Sequence, residues 1–125
     1  MITRAEVIDI NDEILTLKVN EILLEGFSNT CITSEIGAII LVEIILWGDI
    51  EMDPAPVHPP SIEKAGKGLA YFIFGKLDVD NQTLSSVLDF ELDNDTLARF
   101  SHLDQKNVRL SIERFDLCIL EKKKQ

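Results

Sequence analysis

The run Ala38 to Trp47, AIILVEIILW, constrains the fold more than any other segment, because it is apolar at odd and even positions alike. A strand of this kind is covered on both sides or runs through a barrel wall, and it should be the least exposed strand of the molecule. The wider apolar stretch, Ile36 to Gly48, is 13 residues long and carries Glu43 in its middle. A membrane-spanning helix needs about 20 apolar residues, so no membrane span is expected here.

The segments around this strand also read as strands. Thr3 to Ile10 is rich in β-branched residues, and Ile14 to Leu23 sets Leu15, Leu17 and Val19 against Thr16, Lys18 and Asn20 with a period of two. Asn11-Asp12-Glu13 between them predicts a hairpin with an acidic tip. Gly26 to Thr33 reads as a polar connection. Leu69 to Val79 is aromatic and aliphatic with Gly75 inside it, the mark of a bend or bulge. Thr83 to Leu92 alternates again, which gives a second hairpin around Asp80-Asn81-Gln82. From Asp93 to Asp104 the period changes: Leu97, Phe100 and Leu103 recur at helical spacing behind a capping Asp93 or Asn94, with Asp95 in the first turn. Val108, Leu110 and Ile112 then alternate before Phe115, Leu117 and Ile119 take the other parity, which predicts a bulge near Glu113-Arg114.

Gly48 to Gly68 holds all four prolines and three of the six glycines, and reads as one long loop. Loops of that length in compact domains are functional or mobile. At 125 residues, the chain is expected to form one β-rich domain over 1–120, with a frayed basic tail at 121–125. The fold class that follows is mainly β: a curled antiparallel sheet or small β-barrel of about six strands, with one short helix before the last strand. The order resembles OB-type barrels at the level of fold, which implies no function.

Twelve basic and 22 acidic residues give a net charge of −10. The excess lies entirely in residues 1–63, where Arg4 and Lys18 face 12 acidic residues, while 64–125 hold ten of each sign. Such a charge repels nucleic-acid phosphates and anionic membranes, so neither is expected as a partner. A charged N-terminus, with Arg4, Glu6 and Asp9, lacks the apolar stretch of a secretory signal, and a cytoplasmic location is expected. Cys31 and Cys118 have no metal-ligand spacing, and no metal or cofactor is expected.

Catalytic patterns are missing. His58 and His102 have no nucleophile at a telling spacing, and no Gly-rich phosphate loop occurs. Paired acids such as Asp78 with Asp80 arise readily in so acidic a chain. Asp78 to Asp89 starts like a calcium loop but has Thr83 in place of the turn glycine and Asp89 in place of the final glutamate. Trp47 has two uses open to it, closing the core or anchoring a partner.

Three functions remain. The first is a non-enzymatic acidic interaction protein (an adaptor, inhibitor or toxin-neutralising type) that meets a basic protein partner through Trp47, Asp49, Glu51, Met52, Asp53, Val57 and His58. The second is a small-molecule-binding barrel or enzyme with a pocket at Glu43, Tyr71 and Phe72 and the 48–68 loop as its lid. The third is a structural homo-oligomer.

Overall fold

The computed structural model describes residues 1–28 and 35–122, with side chains through residue 120. The expectation for Cys31 and most of that for the basic tail lie outside the described residues. The molecule is mainly β, with one short helix, and its strands fall into two compact units: residues 1–47 with 114–125, and residues 48–113.

The first unit is a closed barrel of five strands: β1 (Ile2–Asn11), β2 (Ile14–Val19), β3 (Ile22–Phe27), β4 (Ile39–Trp47) and β11 (Arg114–Lys122). Around the barrel the order is β1-β2-β3-β11-β4, and β4 pairs back onto β1. All pairs are antiparallel except β3 with β11. A closed five-stranded barrel resembles OB-type barrels at the level of architecture. Alternation fills its interior. Val7, Leu15, Leu17, Val19, Leu24, Ile40, Val42 and Phe115 are fully buried. Barrels of this size are filled by side chains.

The hairpin expected over the first 23 residues is present and continues into a third strand. Asn20 and Glu21 both adopt positive φ, 48° and 70°, and Val19 pairs with Ile22. That is the two-residue turn whose twist suits a hairpin. The turn flips the inward parity from Leu15, Leu17 and Val19 to Leu24 and Gly26. Gly26 sits where the parallel pair closes the barrel, opposite Phe115. A Cβ there would lie 2.8 Å from the Phe115 carbonyl oxygen and 2.9 Å from Leu117 Cδ1.

The second unit is a six-stranded sheet. It contains β5 (Glu51–Pro54), β6 (Ser61–Lys64), β7 (Tyr71–Asp78), β8 (Thr83–Ser85), β9 (Asp89–Glu91) and β10 (Asn107–Ile112). The proline-rich stretch is therefore no continuous loop, since β5 and β6 lie within it. Both pair on one side only, β5 with β10 and β6 with β7, and Pro54 ends its strand, the places where a sheet tolerates proline. One edge of β7 lies along β10. Its other edge is shared: Tyr71 to Phe74 pair with β6, and Lys76 to Asp78 with β8. Gly75 marks the handover, where a Cβ would collide with the Ser85 carbonyl. Ser86 Oγ donates to Phe74 O at 2.5 Å beside it. The bend expected at Gly75 is thus a close backbone approach.

The predicted helix forms as α1 (Asn94–Phe100), followed by one 3₁₀ turn at Ser101–Leu103. Leu97, Phe100 and Leu103 are buried as their spacing requires. Two strands follow this helix instead of one. The parity change at Glu113-Arg114 is a passage from the sheet to the barrel, and no bulge occurs at that point.

Two outcomes are expected. Gly26→Ala should destabilise the protein by about 1–3 kcal/mol, because the clash is with backbone, and chemical denaturation measures it. Asp93 caps α1 by accepting from the Thr96 N–H at 2.7 Å, and that bond lowers its pKa. A carboxyl depressed on folding contributes stability above its unfolded pKa and loses it as pH falls through the folded value. Asp93→Ala should therefore cost about 1 kcal/mol at neutral pH and less in strong acid, where the protonated carboxyl caps without its charge, read from denaturation curves at both. Asp93→Asn should keep the cap and remove the pH dependence.

Candidate interaction surfaces

The barrel exterior carries the largest exposed side chain of the molecule. On β4, Ile40, Val42 and Ile44 turn inward, which leaves Ile39, Leu41, Glu43, Ile45 and Trp47 on the outer face. The strand is not uniformly buried as its composition implied. Trp47 and Ile45 are each 43% exposed, so Trp47 does not close a core. On the neighbouring strand Arg114 pairs with Trp47 in register and Asp116 with Ile45. The Arg114 guanidinium lies over the Trp47 ring at 3.9 Å and over the Phe27 ring at 4.3 Å. Its Nε donates to Asp116 Oδ1 at 2.8 Å. A cation held between two ring faces and oriented by a carboxylate is a rigid surface feature.

The charges of the barrel are sorted. Arg4 and Lys18, the two basic residues of the acidic half, line one open cleft of about 300 Å³ with Glu6, Asn20 and Glu21. Lys18 pairs there with Glu21 at 3.4 Å. The β1–β2 tip is different. Asp9, Asp12 and Glu13 are all exposed, and among the described residues none of the three faces a cation. A register shift between Val7 and Asp9 turns Asp9 outward, off the buried parity of Ala5 and Val7, and the two-residue turn carries Asp12 and Glu13 into water.

In the second unit two of the three acidic residues singled out by sequence, Asp53 and Glu51, hold arginines, while Asp49 is tied through its backbone N–H. Asp53 lies opposite Arg109 in register and accepts from its Nη2 at 3.1 Å. The Arg109 guanidinium covers the Phe72 ring at 4.7 Å. Glu51 faces Arg99 at 3.6 Å, and the Asp49 N–H donates to Glu113 Oε2 at 2.6 Å. Met52 is 5% exposed; the alternation of β5 turns it into the core, where it is unavailable to a partner. His58 stacks on Phe74, with ring centroids 3.5 Å apart, and its Nε2 lies 3.4 Å from Glu63. Val57 beside it is 94% exposed.

The three residues expected to share a pocket do not share a unit. Glu43 is half-buried on the outer face of β4, opposite Ile2 and Cys118. Tyr71 and Phe72, neighbours on β7, point to opposite faces of the second sheet. Tyr71 is buried, and Phe72 lies under Arg109. The supposed calcium segment is a turn: Asp78 accepts from Asn81 Nδ2 and the Asn81 N–H, which lowers its pKa. Among the described residues no helix is long and apolar enough to cross a membrane.

A family model described as Uncharacterised conserved protein UCP019853 matches residues 1–120. The chain belongs to that family. No curated protein and no solved structure matches it.

The Arg114 stack was not foreseen from sequence, because it needs three strands brought side by side. It also sets an expectation. Trp47 is the only tryptophan, so Arg114→Ala should open its covered face to water and shift its emission to the red. The same variant should lose about 1 kcal/mol of stability in urea unfolding.

Proposed function

We propose that the protein is a non-enzymatic interaction module of the cytoplasm whose barrel meets a basic protein partner through the β1–β2 tip. One observation carries this reading. Where the chain holds basic residues near its acidic ones, it pairs them, as in Glu51 with Arg99, Asp53 with Arg109 and Asp116 with Arg114. Asp9, near the end of β1, and Asp12 and Glu13, on the tight turn that follows, are left exposed.

Like charges crowded on a hairpin repel one another, and a basic partner relieves that repulsion on docking. In OB-type barrels the first hairpin loop is one of the loops that take ligands, which is a likeness of position only. The filled barrel interior favours an outer surface over a carried small molecule. Glu51 and Asp53, the residues that sequence put forward for this role, contribute less because their own arginines already offset their charge.

The first experiment is native mass spectrometry on protein purified from its own source. A retained basic polypeptide is expected, and a small molecule as the only added mass would overturn the reading. With that polypeptide in hand, neutralising Asp9, Asp12 and Glu13 to Asn, Asn and Gln should slow association about tenfold or more at low salt and little at high salt. Equal rates for both proteins at low salt would also sink it.

A further inference from the structure

We infer that the open ring face of Trp47 seats an arginine of the basic partner. The inference rests on the reading above and names the side chain that the barrel wall selects.

The surface already shows what it binds. Of the four arginines in the chain, Arg99, Arg109 and Arg114 each lie over an aromatic ring, at 4.9 Å from Phe100, 4.7 Å from Phe72 and 3.9 Å from Trp47. Trp47 is the strongest cation acceptor among these rings. Arg114 lies over it, yet 43% of the residue stays exposed.

Charge permits a second guanidinium there. Arg114 would repel another cation across the ring, but Asp116 at 2.8 Å offsets its charge. Glu43 stands on the same outward face of β4, and the whole chain carries −10. The side chain's aliphatic stem also finds cover. Ile45, 43% exposed, lies between Glu43 and Trp47 on that face, and Ile2, 59% exposed, pairs with Glu43 in register. Long basic side chains lay their methylenes on such apolar surface. Arginine suits the site better than lysine, because the planar, weakly hydrated guanidinium stacks on a ring while an ammonium keeps its water.

The sole tryptophan makes the contact observable. The full chain is titrated with oligoarginine and oligolysine peptides of equal length and charge, following Trp47 emission and, separately, heat of binding. The arginine peptide should change the emission and bind about threefold more tightly than the lysine peptide. Trp47→Leu should abolish that preference, and Trp47→Phe, which keeps a ring, should restore most of it. Neutralising Asp9, Asp12 and Glu13 should weaken both peptides alike and leave their ratio unchanged. Equal binding of the two peptides, or a preference that survives Trp47→Leu, overturns the arginine seat and leaves the acidic tip standing. Failure of both peptides to bind overturns the two readings together.

Discussion

The parallel contact between β3 and β11 holds the barrel shut, and most of the rest depends on it. Without that pair the five strands would form a curled sheet in the order β3-β2-β1-β4-β11, with β3 and β11 as two open edges. Phe115 and Leu117 complete the interior from the far end of the chain. The contact is possible only because position 26 lacks a side chain where the Phe115 carbonyl approaches. The same closure sets Phe27, Arg114 and Trp47 side by side. The surface cation stack is thus a by-product of how the barrel is sealed.

Local signals were legible in the sequence. β-Branched content marked β1, period-two alternation marked β2 and β10, a run apolar on both faces marked β4, turn residues marked both hairpins, and Asp93 marked the start of α1. Gly75 was legible as an irregularity, though its cause, the backbone of β8, was not. The misses have physical reasons. Glu21 has no preference for the left-handed conformation it adopts, so the β2–β3 turn was hidden inside an apparent single strand. β5 and β6 were masked by prolines that lie at or beyond their ends. The parity change at Glu113-Arg114 was seen, yet a single chain cannot tell a bulge from a strand that changes sheets.

The candidate surfaces were less legible than the fold. Acidity could be counted, but which carboxylates are spent on internal partners is a matter of register. Asp53 faces Arg109 because β5 pairs with β10 across a separation of 56 residues, and nothing local announces it. Trp47 shows the same limit. Its place at the end of an apolar run argued for burial, while the pleat of β4, counted outward from Ile40, Val42 and Ile44, sends it to the surface.

The order of strands along the chain has a kinetic consequence. All the strands of the second sheet lie within residues 48–113, a continuous stretch that is complete before β11 is made. The barrel is not continuous: its first four strands leave the ribosome early and its fifth comes last. During synthesis the apolar faces of β1 to β4 must wait, unsealed, for about 66 further residues to appear. A chain stalled just before Arg114 therefore has its second sheet complete while four barrel strands stay unsealed, and such truncated products should be far more aggregation-prone than their small loss of length implies.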